Sequence, residues 1–116
     1  MKSNIIKEKS FDFALKIIEL YRKLTENKEH ILSRQLLRSG TSIGANIEEA
    51  IAAHSTKDFI SKLTIALKEA RESRYWLMLL DKSQIVKINY SEYLNDIDQI
   101  ISILCSILKT MNTKNK

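Results

Sequence analysis

From Phe59 to Leu80, apolar or small residues return at alternating intervals of four and three: Phe59, Leu63, Ala66, Ala70, Ser73, Leu77 and Leu80. The same interval runs from Tyr90 through Leu94, Ile97, Ile101, Leu104 and Leu108 to Met111. Such a period lays one apolar seam along an α-helix; a strand, whose faces alternate at every residue, cannot present it. Nothing punctuates the pattern, because the 116 residues include no Pro and only two Gly. A chain of long helices with apolar seams must bury those seams against one another.

The first half follows the same logic. Phe13, Ala14, Ile17, Ile18, Leu20, Tyr21 and Leu24 form a broad apolar face opposed by Asp12, Lys16, Glu19 and Lys23. This predicts a helix over about 10–26 capped by Ser10, with residues 1–9 as a polar lead-in around Ile5 and Ile6. Asn27 reads as the cap of a second helix over 28–53, on which Leu32, Leu36, Ile43, Ile47 and Ala50 share a face. Ser33, Gly40 and Gly44 flank that face where another helix can come close. The phase continues across Gly40 to Gly44, so the helix is expected to run through. Ser55 with Asp58 resembles a capping box for a third helix over 56–82, and Asn89 with Glu92 opens a fourth over 90–112. Residues 113–116 are expected to be a disordered tail. Four such helices on short connections predict an all-α, antiparallel up-down-up-down four-helix bundle, one domain over 1–116.

Composition narrows the function classes. The lone Cys105 excludes an intramolecular disulfide and suits a reducing compartment, and no secretory signal is evident, so a cytoplasmic location is expected. The most apolar run, Ile100 to Leu108, is interrupted by Ser102 and Ser106 and falls short of the ~20 residues that span a bilayer. No membrane partner is expected. Neither His30 nor His54 follows a Glu by three residues, so the paired Glu-x-x-His ligands of a di-metal bundle are missing. No His lies a few residues after Arg34 or Arg38, as a helical-bundle ribonuclease needs. The reading is a non-enzyme with no catalytic residues, no metal and no cofactor.

Three surfaces stand out. Gln35, Arg38, Ser42, Asn46 and Glu49 line a polar flank of the second helix, and the third offers Glu69 beside it. This is a candidate interface or internal network, with Arg38 expected to pair with Glu69 or Glu49. Lys57, Lys68, Arg71, Arg74 and Tyr75 mark the outer side of the third helix, where cations neutralise phosphates and a ring stacks on a base: a candidate nucleic-acid contact, set against an ordinary exposed charged face on which Glu69 and Glu72 make local pairs. The fourth helix adds Tyr93, Ile100, Ile103 and Ile107 to its seam, making its apolar arc wider than the roughly 100° a bundle needs. Those four residues are expected to be covered by sister copies in a homo-oligomer; the alternative is that they pack into the same core.

The run LSRQLLRSGTSIGANIEEA followed by SxxDFxxKLxIALKEARESRYWLxLL resembles the four helix bundle protein family, also called 23S rRNA intervening-sequence proteins. That family is related to the accessory proteins of diversity-generating retroelements. Some branches carry Pro after the Ser-Ile pair and Gly at the position of Ala50; Gly44 and Ala50 place this chain with the others. The resemblance implies an antiparallel four-helix bundle, a homo-oligomer that is typically a homopentamer, and no established catalytic activity. Retroelement relatives bind nucleic acid and a reverse transcriptase through basic surfaces of the ring. The expectation is therefore a non-catalytic assembly or binding module whose partners are itself and RNA, DNA or a nucleic-acid-processing protein. The alternative is a purely protein-binding scaffold with no nucleic-acid role.

Overall fold

Heptad spacing in α1 begins earlier than the cap residue Ser10 implies. Ile6, Ser10, Phe13, Ile17, Leu20 and Leu24 alternate by four and three, and every one is at most 2% exposed. In the computed structural model, which describes residues 2–114 and the side chains of 5–113, α1 therefore spans Lys2–Glu26. Ser10 is no cap: its Oγ donates to the Lys7 carbonyl within the helix. The expected lead-in is two further turns of α1.

The remaining elements are α2 (Leu32–Ile51), α3 (Thr56–Ser83) and α4 (Ser91–Lys114). α2 runs unbroken through Gly40 and Gly44. It starts later than residue 28 because Asn27 serves the other helix, donating from Nδ2 to the Lys23 carbonyl at 2.7 Å. Lys28 then takes a left-handed φ of 66°. The cap of α2 is Glu29, whose Oε1 accepts from the N–H groups of Ile31 and Leu32, and whose Oε2 accepts from that of Ser33 at 2.7 Å. A carboxylate at a helix N-terminus satisfies orphan donors and meets the positive end of the dipole. Ser55 caps α3 as the sequence predicts, accepting from the Asp58 N–H at 3.0 Å. α4 continues through Thr113 and Lys114, so half of the expected tail is helix; residues 115–116 lie outside the described part.

Cross-helix pairs fix the topology. Lys7 meets Glu48 between α1 and α2, Arg38 meets Glu72 between α2 and α3, Arg74 meets Asp98 between α3 and α4, and Lys16 meets Glu92 between α1 and α4. A second contact at each interface runs the opposite way along the two helices: Ile17 at Gly40, Glu49 at Lys62, Arg71 at Cys105 and Lys9 at Gln99, so each neighbouring pair is antiparallel and the ring of four closes on itself. The result is an up-down-up-down bundle measuring 48 × 21 × 21 Å. Its axis carries Phe13, Ile17, Leu36, Ile43, Leu63, Leu77, Tyr90, Ile97 and Leu104, all buried. Two serines also sit inside: Ser39 and Ser73 are fully enclosed and their hydroxyls meet at 2.8 Å. Tyr90 is held there by donating to the Val86 carbonyl, and burial first, then the Glu29 charge, pushes its phenol up to about 12.

The two glycines differ in what they permit. A Cβ on Gly40 lies 3.0 Å from Ile17 Cγ2, whereas one on Gly44 lies 3.5 Å from Ser10 Oγ, an ordinary contact. Alanine in a helix interior gains about 0.5–1 kcal/mol over glycine, while overpacking a core costs about 1–3 kcal/mol. Gly44→Ala is therefore expected to stabilise the fold by up to about 1 kcal/mol, and Gly40→Ala to destabilise it by about 1 kcal/mol, in urea unfolding.

Burial pushes the Glu29 carboxyl up, but the N–H donors of Leu32, Ser33 and Ile31 outweigh it and hold the group below its ordinary 4.5. The ionised cap thus contributes stability above that value, and the contribution is lost as pH falls through the lower folded value. Glu29→Gln should cost about 1–2 kcal/mol at neutral pH. The gap from wild type should narrow in unfolding curves taken below the ordinary 4.5.

Candidate interaction surfaces

The polar flank of α2 is brought together only in part. Arg38 reaches across to α3 and makes ion pairs with Glu69, at 3.5 Å, and with Glu72. Glu72 also accepts from Trp76 Nε1 at 3.1 Å, which fixes the indole half-buried on this edge. Glu69 Oε2 is enclosed without a hydrogen bond among the described residues, and the Arg38 guanidinium is the cation paired with it. Glu49 does not join: eleven residues of helix separate it from Arg38, about 16 Å along the axis, and it pairs with Lys62 at 3.3 Å instead. Ser42 and Asn46 donate to the carbonyls of Arg38 and Ser42 in their own helix. Gln35 is exposed.

One guanidinium thus serves two carboxylates that are 15% and 30% exposed. Removing it leaves two like charges facing each other with partial burial, a case between the exposed and buried extremes. Arg38→Ala should cost about 1–2 kcal/mol, and adding Glu69→Gln should recover part of the loss in urea midpoint.

The expected basic stripe of α3 divides. Lys57, Lys68 and Arg71 are exposed, and no described carboxylate pairs with them. Arg71 approaches Cys105 Sγ at 3.6 Å, which sets it over α4. Tyr75 is 57% exposed, standing edge-on to Trp76 with ring centroids 5.3 Å apart. Arg74 leaves the set, because it points to α4 and donates to Asp98 at 2.7 Å. What spacing along α3 could not show is Lys109. Since Arg71 meets Cys105 across antiparallel helices, Lys109, one turn further along α4, lies beside the α3 turn that carries Lys68. α4 has no Asp or Glu after Asp98, while Glu69 of α3 is turned to Arg38. One half of the α3/α4 face therefore presents Lys57, Lys68, Arg71 and Lys109 without opposing carboxylates among the described residues.

The surplus apolar residues of α4 fold inward. Ile100 is 1% exposed, Tyr93 and Ile107 are each 9% exposed, and Ile103 is half-buried against the core. The register set by the Lys9–Gln99 and Lys16–Glu92 pairs lays residues 5–9 of α1 opposite residues 99–103, the middle of α4. Ile6, on the turns the sequence reading leaves out of the first helix, joins the same buried cluster as Tyr93, Ile100 and Ile107. Between α1 and α4, Lys16 bridges Asp96 at 2.7 Å and Glu92 at 2.9 Å, and these two carboxylates, Asp96 foremost, hold its ammonium above the ordinary value.

Exposed apolar surface appears instead on the outer side of α1, where Phe11, Leu15 and Ile18 are 62%, 49% and 37% exposed. The signal was present as a second four-and-three interval, offset from the Phe13, Ile17, Leu20 seam. Among the described residues no group of His, Cys, Asp and Glu is placed to hold a metal ion, and no helix is long and apolar enough to cross a membrane.

The family model described as 23S rRNA-intervening sequence protein matches residues 2–106. A crystal structure of a protein of unknown function, from the S23 ribosomal protein family of Bacteroides thetaiotaomicron, is 52% identical and superposes with a TM-score of 0.89. The match covers 94% of this chain and 99% of that one. Among curated proteins no match is found.

Proposed function

We propose, for a chain that belongs to the 23S rRNA-intervening sequence protein family, a non-catalytic, self-associating module that binds nucleic acid through the α3/α4 face. The observation that carries this reading is the half-face of Lys57, Lys68, Arg71 and Lys109, four exposed cations that no described carboxylate neutralises. Each cation set on a phosphate releases condensed counterions, so affinity falls steeply with salt and little with sequence. The exposed ring of Tyr75, further along the same helix, offers a stacking surface to an unpaired base. No base-reading helix or zinc-finger spacing accompanies these residues, which favours sequence-tolerant contact.

Self-association multiplies the effect, because repeated half-faces on one assembly bind a polyanion with the avidity of linked sites. A ring of five is the assembly the family resemblance implies. The lone Cys105 suits a cytoplasmic, reducing setting. A nucleic-acid-processing protein is a further partner of the same surfaces. The alternative, a protein-binding scaffold with no nucleic-acid role, is supported by the exposed Phe11, Leu15 and Ile18.

Chromatography on heparin and on immobilised RNA and DNA separates the two. The wild type is expected to be retained at low ionic strength with a log–log salt slope of roughly −3, the value for four phosphate contacts. Lys68→Glu with Arg71→Glu and Lys109→Glu should abolish retention, whereas Lys23→Glu on α1 should barely change it. Flow-through of the wild type at low salt rejects the nucleic-acid reading in favour of the scaffold.

A further inference from the structure

Resting on the nucleic-acid reading of the α3/α4 face above, we propose that the bound strand is unpaired, that one of its bases stacks on Tyr75, and that Trp76 positions the Tyr75 ring. At about 100° per residue, Lys57, Lys68, Arg71, Tyr75 and Lys82 fall within about 60° of one another along α3. All five are exposed, and Leu63, Ala70 and Leu77 on the opposite side are buried, so this is the outermost line of the helix. Lys82, like Lys68 and Arg71, pairs with no described carboxylate. The axial rise sets Tyr75 about 6 Å beyond Arg71 and about 10 Å before Lys82. A strand running along α3 therefore meets cations on both sides of the ring.

The acids of α3 are kept off this line. Glu72 follows Lys68 by four residues, the spacing of a local ion pair, yet both it and Glu69 turn to Arg38 of α2. Asp58 and Asp81 point away from the line by roughly 100°. Glu72 has a second task, accepting from Trp76 Nε1 at 3.1 Å. The indole so held meets Tyr75 at 67°, with ring centroids 5.3 Å apart. A T-shaped contact engages at most one face of a ring, and Tyr75 is 57% exposed, so a face stays open. Bracing the ring beforehand lowers the ordering cost of stacking on it. In a duplex both faces of an interior base are already stacked on neighbours, so paired nucleic acid gains only the cations. An unpaired base has a face to give, and stacking on it is sequence-tolerant. A duplex releases more counterions per contact, roughly 0.9 against 0.7 for a single strand, so its binding falls faster as salt rises. Preference for the single strand is therefore clearest at moderate salt.

Fluorescence anisotropy on the full chain, with a labelled oligothymidylate and a mixed-sequence duplex of equal length, separates the ring from the cations. The wild type is expected to bind the single strand several-fold more tightly than the duplex at moderate salt. Tyr75→Ala should weaken single-strand binding by roughly tenfold. It should leave duplex binding and the salt slope unchanged, because stacking releases no counterions. Tyr75→Phe should keep the wild-type preference. Trp76→Leu, which removes the brace, should weaken single-strand binding by roughly threefold and spare the duplex. General loosening of the bundle does not produce that split, since it weakens both. Equal loss of both polymers in Tyr75→Ala overturns the proposal, as does no loss of either; in both cases the cationic face still stands. A wild type that binds neither polymer at low salt overturns the cationic face as well.

Discussion

The close seating of α2 against its two neighbours is the constraint on which the rest of the bundle depends. On one side Gly40 lets Ile17 come within 3.0 Å of where a Cβ would stand, and Gly44 faces Ser10. On the other, Ser39 and Ser73 replace two apolar side chains with hydroxyls that bond to each other at 2.8 Å in a fully enclosed position. Small residues at both contacts bring the helices close, and a buried polar pair is costly to misalign, so together they set register. α1 also lies antiparallel along α4, with Lys9 at Gln99 and Lys16 at Glu92. Ile100 and Ile107 are buried within the protomer, while Phe11, Leu15 and Ile18 face outward.

The same registration redistributes charge. Net charge is +5, and in the linear chain the basic residues are dispersed. Folding spends carboxylates selectively: Asp96 and Glu92 on Lys16, Asp98 on Arg74, Glu69 and Glu72 on Arg38, Glu49 on Lys62. Most of these pairs are half exposed and contribute little stability individually. Their larger consequence is where they leave positive charge unanswered, at the end of the α3/α4 face that contains Lys68 and Lys109. A dispersed excess becomes a localised field because antiparallel packing joins stretches some forty residues apart in sequence.

Much of this was legible beforehand, and the misses share a cause. The seams of α3 and α4, the unbroken passage through Gly40 and Gly44, the Ser55 cap and the Arg38–Glu69 contact all follow from spacing within one helix or between adjacent ones. Ser10 was misread as a cap because a serine before an apolar run looks the same whether it begins a helix or sits inside one. Only the burial of Ile6 beneath the bundle distinguishes the two. Arg74 and Lys109 changed places in the basic set because the outer side of α3 is decided by what α4 sets opposite it: Asp98 in one case, an acid-free turn in the other.

Local periodicity, then, determined the helices, their apolar seams and the all-α bundle, since these are properties of residues a few positions apart on one cylinder. The sequence motif also determined family membership. Tertiary structure alone decided which apolar and charged residues remain at the surface. Exposure depends on what a helix distant in sequence covers, and no spacing within a single helix encodes it.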